Sequence, residues 1–204
     1  MQSKILNLGF FASHNGSGMK AVVAAIRTDQ LSANPTVVIS NNASSGALEF
    51  ASDNDFAAYH VSQTSLGRKT NLDAELLQIL MAHHVDVIVL SGYLRKLGPK
   101  VLRQFAGRIL NVHPTLLPKF GGKGMHGSAA HRAVLAAEET ESGATVHLVD
   151  PEYDSGDIIC QNTVPVLPND TPESLAARVA KIEGALLVEA LTIIADGAFR
   201  LCRN

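Results

Sequence analysis

The chain has 204 residues, 46% hydrophobic and 18% charged, with a formal net charge of −2 at pH 7. That is enough apolar surface for one core of ordinary size, and it excludes a disordered chain. Lys and Arg are scattered, which leaves no phosphate-contact footprint for nucleic acid, and no segment approaches the roughly 20 apolar residues of a spanning helix.

The start, Met1-Gln2-Ser3-Lys4, runs directly into apolar residues with no leader-like region. Cys160 and Cys202 have no metal or redox spacing, and Cys160 sits in an apolar strand pattern as a small core residue. A soluble cytoplasmic protein is expected.

Residues 5–12 form an apolar run of strand length, followed by the polar turn Ser13-His14-Asn15-Gly16. Residues 17–28 carry a helical stripe of Met19, Val22, Val23 and Ile26. A second strand is expected at 35–40, a second helix at 46–54 and a short strand at 57–61. Residues 72–83 read as a helix with Leu72, Leu76, Ile79 and Leu80 on one side. Residues 85–90 are almost uninterruptedly apolar, the mark of a strand buried on both faces. A short helix at 99–105 then leads into Arg108-Ile109-Leu110-Asn111-Val112-His113-Pro114.

Beyond these come a glycine-rich loop at 121–127, a helix at 128–137, strands at 144–149 and 157–166, and a last helix. That helix opens on Asp170-Thr171-Pro172-Glu173, an acid cap with an early proline, and runs to about residue 195. Alternating strands and helices predict an α/β architecture: a doubly wound, mostly parallel sheet with an antiparallel C-terminal portion and a long C-terminal helix. No repeat or linker divides the chain, so a single domain over residues 1–204 is expected.

Side chains alternate along a strand, so Asn111 and His113 share one face and Leu110 and Val112 the other. Pro114 removes a donor and ends the ladder. An amide beside an imidazole at a strand end can bind a developing oxyanion and move a proton. A polar strand terminus with its imidazole satisfied by backbone fits these residues equally well.

Asn15-Gly16-Ser17-Gly18 between a strand and a helix can aim backbone N–H groups at an anion, with Lys20 one turn further on. A single phosphate, a plain tight turn and a dinucleotide are the three readings. The dinucleotide reading wants an acid after the second strand, where this chain has Ser40-Asn41-Asn42. Asp150, Glu152, Asp154 and Asp157 lack the glycine and glutamate positions of a calcium loop, and His126 and His131 lack zinc spacing. No metal is expected. Asp154-Ser155-Gly156 precedes a buried strand, where one acid can face a cleft. Glu183 lies on or beside the last helix's apolar stripe, where an unpaired carboxylate is costly unless its head reaches water.

Taken together, Ser13-His14-Asn15-Gly16-Ser17, residues 90–97 (LSGYLRKL), residues 111–120 (NVHPTLLPKF), residues 143–147 (GATVH) and Tyr153-Asp154-Ser155-Gly156 resemble the phosphoribosylglycinamide formyltransferases. These are folate-dependent enzymes of purine synthesis, and the resemblance extends along nearly the whole chain. It implies a Rossmann-like formyltransferase fold. It also implies transfer of the formyl group of 10-formyltetrahydrofolate, as co-substrate, to the amine of glycinamide ribonucleotide.

On the same resemblance Asn111, His113 and Asp154 are the catalytic set. The substrate phosphate belongs at Gly16, Ser17 and Gly18, and Glu183 is a substrate contact. Arg68, Leu94, Arg95 and Leu97 are folate-side residues. Small molecules are the implied partners, with neither nucleic acid nor membrane, and the assembly is a monomer or a homodimer.

Two positions depart from the family pattern. Gly18 stands where relatives usually have Asn, with Lys20 nearby to compensate, and Ala129 stands where they commonly have the first histidine of His-x-His. Three other functions share the core: formyl transfer to another amine, hydrolysis of formyltetrahydrofolate, and folate or nucleotide binding without turnover.

Overall fold

The computed structural model describes residues 5–67, 70–199 and 201. Its elements in chain order are β1 (Leu6–Phe11), α1 (Ser17–Arg27), β2 (Ala33–Ser40), α2 (Gly46–Ser52), β3 (Ala57–His60), α3 (Gln63–Leu66) and α4 (Leu72–Ala82). There follow β4 (Val87–Leu90), α5 (Pro99–Gln104), β5 (Ile109–His113), α6 (Ser128–Ala136), β6 (Glu141–Leu148), β7 (Ile158–Pro165) and α7 (Pro172–Ala195).

The strands form one seven-stranded sheet in the order β3-β2-β1-β4-β5-β6-β7. The first five are parallel, and β6 and β7 join antiparallel. The expected mostly parallel, doubly wound sheet is the one observed.

Alternation along the strands sorts the core into two layers. Leu8, Phe10, Val38, Val87, Val89, Leu110 and Val146 pack with residues of α1, α2, α6 and α7 on one face. Phe11, Val37, Ile39, Ile88 and Ile109 pack with α4 and α5 on the other. Helix α7 buries Leu175, Val179, Leu186, Leu187, Ala190, Leu191 and Ile194. At about 1.5–3 kcal/mol for each fully buried leucine, this helix is a major anchor of the first layer. No helix among the described residues is long and apolar enough to cross a membrane.

The structure differs from expectation in three local respects. The four-residue helix α3 escaped the sequence pattern because it has no buried residue and is held by a Ser62–Ser65 capping box. Strand β6 begins at Glu141, since Glu141, Ser142 and Gly143 pair with Pro165, Val164 and Thr163 despite being polar or small. The cap of α7 is Thr171, in a reciprocal box with Ser174, and not Asp170. Asp170 instead accepts two hydrogen bonds from Arg178 at 2.6 and 2.8 Å. Cys160 is half-buried, packed against the first core layer, and burial pushes its thiol up to about 12. Cys202 lies outside the described residues.

The segment joining β4 to α5 is held from the side. Gly98 caps α5 without a side chain, and Asp73 on α4 accepts the Lys100 and Val101 N–H groups at 2.7 and 3.1 Å. Asp73 thus caps a helix to which it does not belong. Asp73→Ala is expected to cost about 1–2 kcal/mol, the range for loss of a capping side chain. Urea unfolding measures it, and an unchanged midpoint would show that water replaces the carboxylate.

Candidate active site

In a sheet of this order the crossovers leave β1 and β4 in opposite directions, and a crevice opens outside their carboxyl ends. Several of the residues singled out from the sequence lie on the segments that leave these strand ends. The turn after β1 ends at Gly16, a left-handed helix cap with φ 59° and ψ 47° and no side-chain cap bond. Glycine takes this conformation without strain. Helix α1 has no acid in its first turn, and the Ser17 and Gly18 N–H groups have no acceptor among the described residues. Unsatisfied amides at a helix start form an anion site. Lys20 stands 5.3 Å from the Phe50 ring centroid, in a cation–π contact.

Across the crevice, β5 and β6 pair antiparallel with Asn111 opposite His147 and His113 opposite Thr145. Directly opposed residues lie close enough for their side chains to meet. His147 Nδ1 is 2.9 Å from the Leu148 carbonyl, which assigns the proton to that nitrogen and leaves Nε2 to accept from Asn111 Nδ2 at 3.2 Å. Burial lowers the pKa of His147 and outweighs the Leu148 carbonyl and Asp154, which raise it, while His113 adds a smaller lowering and Asp150 a smaller raising. A neutral His147 therefore orients the Asn111 amide. His147 is the site residue outside the expected set, and the alternation of Thr145 and His147 on one strand face is the pattern in the sequence that marks it.

His113 is 3% exposed, with Nε2 2.9 Å from the Phe120 carbonyl and Nδ1 3.5 Å from Asp154 Oδ2. Asp154 Oδ1 lies 3.6 Å from His147 Nε2, so one carboxylate stands between two imidazoles. Both separations are too long for good hydrogen bonds. Asp154 has φ 55°, a left-handed conformation that Asp tolerates better than most residues. Its Oδ2 also accepts the Gly122 N–H at 2.9 Å, tying the glycine-rich loop to the acid. Gly156 must be glycine, because a Cβ there would drive into the Leu148 carbonyl.

The turn after β5 is pinned from behind. Thr145 Oγ1 donates to the Thr115 carbonyl at 2.7 Å and accepts the Leu117 N–H at 3.0 Å. Gln161 Nε2 donates to Thr145 Oγ1 and to the Leu117 carbonyl at 2.8 and 2.9 Å. Buried groups satisfied in this way hold the Phe120 carbonyl against His113.

Leu94 and Arg95 are exposed on the segment after β4, while Leu97 is 5% exposed and packs into the second core layer. Only its main chain can meet a ligand. Lys96 stands 5.0 Å from the Tyr153 ring centroid, joining this segment to the loop that carries Asp154. An open cavity of about 420 Å³ lies at the segment's far end, lined by Gln63, Asn71, Lys96 and Gly98 among others. Arg68 lies outside the described residues.

His131 is 3% exposed, with Nδ1 unpartnered among the described residues, and burial followed by the charge of His113 lowers its pKa. Ala129 is half-buried in the first turn of the same helix, α6.

Glu183 stands apart from the catalytic cluster. It is half-buried, burial raises its pKa, and no hydrogen bond or ion pair satisfies it among the described residues. It precedes Gly184, where a Cβ would stand 2.8 Å from the Ala21 Cβ, so α7 crosses α1 closely there. A group whose pKa is raised on folding contributes fully below its unfolded value, near 4.3, and loses that contribution as pH rises through the folded value. Glu183→Gln is therefore expected to raise the thermal midpoint at pH 7 and to leave it unchanged below about pH 4. Equal midpoints at both pH values would mean that the carboxylate is fully hydrated.

The sequence profile of the formyl transferase family matches residues 6–191. The chain is 36% identical over 189 residues to the chloroplastic phosphoribosylglycinamide formyltransferase of Vigna unguiculata, covering 93% of this chain and 61% of that protein. It is 33% identical over 199 residues to the phosphoribosylglycinamide formyltransferase of Escherichia coli, covering 98% and 92%. It thus spans about three-fifths of the Vigna relative and nearly all of the bacterial one. The crystal structure of glycinamide ribonucleotide transformylase 1 from Symbiobacterium toebii superposes with a TM-score of 0.88 at 34% identity, covering 97% of this chain and 91% of that one. A formyltetrahydrofolate deformylase from Pseudomonas syringae shares the fold, with a TM-score of 0.86 at 24% identity. With a match over nearly its whole length and the same sheet, the chain belongs to the formyl transferase family.

Proposed function

We propose that this protein transfers the formyl group of 10-formyltetrahydrofolate to the amine of glycinamide ribonucleotide. The observation that carries the reading is the cluster of buried His113 and His147 with half-buried Asn111 and Asp154, set across the crevice from the helix amides of Ser17 and Gly18. Relatives named phosphoribosylglycinamide formyltransferase support the choice of substrates. The reading takes residues 1–204 as one formyltransferase domain acting on small molecules in the cytoplasm, as a monomer or a homodimer and without a metal.

The substrate phosphate accepts the Ser17 and Gly18 N–H groups, where the helix start favours negative charge. Glu183 receives a donor group of the same substrate, which relieves its unpaired burial. The folate lies along residues 94–97, against the exposed Leu94 side chain, Arg95 and the main chain leading to Leu97, with Arg68 on the same side. Its extended end points to the cavity beside Lys96.

The amine then attacks the formyl carbon, and negative charge develops on the formyl oxygen. Asn111 Nδ2 has one hydrogen committed to His147 and a second to offer this oxyanion. The His113 ring supplies another N–H, for which the oxyanion competes with the Phe120 carbonyl. Asp154, 3.5 Å from Nδ1, orients that ring toward the oxyanion. Collapse of the tetrahedral centre breaks the bond to the folate nitrogen, and the proton lost by the amine ends on that nitrogen.

Purified protein mixed with 10-formyltetrahydrofolate should release tetrahydrofolate only when glycinamide ribonucleotide is added. No amine-dependent release overturns the proposal, and release without the amine identifies a hydrolase. His113→Ala is expected to lower kcat by about 100-fold or more while phosphate-ligand affinity changes less than about twofold. Loss of that affinity would make His113 a structural residue.

A further inference from the structure

Two buried serines face each other across the crevice between β1 and β4, and neither belongs to the catalytic cluster. Ser13, just after β1, is 2% exposed. Its N–H donates to the Gly92 carbonyl at 3.2 Å, its hydroxyl donates to Asn41 Oδ1 at 2.6 Å, and its Oγ accepts the Leu94 N–H at 2.8 Å. The hydroxyl proton is therefore spent on Asn41, which turns a lone pair toward Leu94.

Ser91, just after β4, is 8% exposed and returns the connection. Its N–H donates to the Phe11 carbonyl at 2.8 Å and its Oγ accepts the Met19 N–H at 3.0 Å. Met19 carries the third amide of α1, so Ser91 satisfies the one that an N-cap side chain would otherwise take. The Ser17 and Gly18 amides are left to face outward. Helix α1 comes close to Ser91 at position 18, where a Cβ would stand 3.1 Å from Ser91 Oγ and 3.2 Å from Leu187 Cδ2.

The donor-side segment thus hangs on the anion turn through Ser13, and the anion helix rests on the donor-side segment through Ser91. Removing the Ser91 hydroxyl strands a buried backbone N–H, and removing the Ser13 hydroxyl takes away the part-buried bond that holds the Leu94 N–H.

We propose that Ser13 and Ser91 are positioning residues that couple the two substrate walls. An anion seated on the Ser17 and Gly18 amides and the segment bearing Leu94 are held in one arrangement, so each ligand binds more tightly when the other is present. The inference rests on the assignment of phosphate to residues 16–18 and of folate to residues 94–97.

The test measures dissociation constants by calorimetry on the full chain, with glycinamide ribonucleotide and tetrahydrofolate as probes, each alone and with the other saturating. The native protein should show reciprocal tightening of about fivefold or more. Ser13→Ala should bring that factor close to one, weakening tetrahydrofolate while nucleotide affinity alone stays within about twofold. Ser91→Ala should also abolish the factor but weaken the nucleotide instead. A purely structural role would lower both affinities together and leave the factor intact.

Native protein that binds both probes without tightening, or variants that retain the native factor, would overturn the coupling alone. Native protein that binds neither probe would overturn the substrate assignment and the coupling with it. If Ser13→Ala does not fold, Ser91→Ala, which removes the other link between the walls, carries the test of coupling by itself.

Discussion

Strand β1 is hydrogen-bonded in parallel to both β2 and β4, and every functional group at the crevice depends on that double pairing. Parallel neighbours need crossovers, and those on the two sides of β1 run in opposite directions. The chain leaving β1 and the chain leaving β4 therefore part company at the sheet's edge. The gap exposes the amides of α1 and the segment from Leu94 to Leu97 to the same solvent space. The apolar layers make this arrangement stiff, since β1, β2 and β4 bury side chains on both faces. Their loops emerge from a scaffold that has little freedom to adjust.

The catalytic cluster needs a second constraint, the change from parallel to antiparallel pairing at β5 and β6. An antiparallel neighbour places His147 directly across from Asn111. The loop between β6 and β7 then brings Asp154 back to 3.5 and 3.6 Å from the two histidine rings. Four polar groups share a site that excludes much of the water, and the interactions among them are strengthened by the same burial that makes any unpaired member costly. The Thr145 and Gln161 network explains how the turn after β5 keeps its shape beside such a site.

Three local choices at the crevice run against stability. Asp154 holds a left-handed backbone conformation, Glu183 is half-buried without a partner, and α1 begins without a side-chain cap. Each costs the folded protein something and leaves a directed charge or donor available. The opposite end of the sheet has left-handed residues of its own, Asp29, Asp55 and His84, beside satisfied contacts such as Asn7 with Asp86 and the His84 carbonyl.

Much of this organisation is legible in the residues themselves. Hydrophobic period separates the strands from the helices, and proline ends β5 where Asn111 and His113 emerge. Glycines mark the turn that opens α1 and the tight contact after Asp154. These features are local, so covalent geometry and side-chain chemistry decide them without reference to distant parts of the chain. Short polar elements were less visible, because α3 and the start of β6 are held by capping and by a neighbouring strand.

Tertiary structure alone decided that Asn111 faces His147, that Asp154 stands between two imidazoles, and that Leu97 points into the core while Leu94 does not. It alone brought Ser13 to Leu94, 81 residues apart in the chain. Such contacts arise from strand order and register, which depend on how the whole core packs, and no local pattern of residues encodes them.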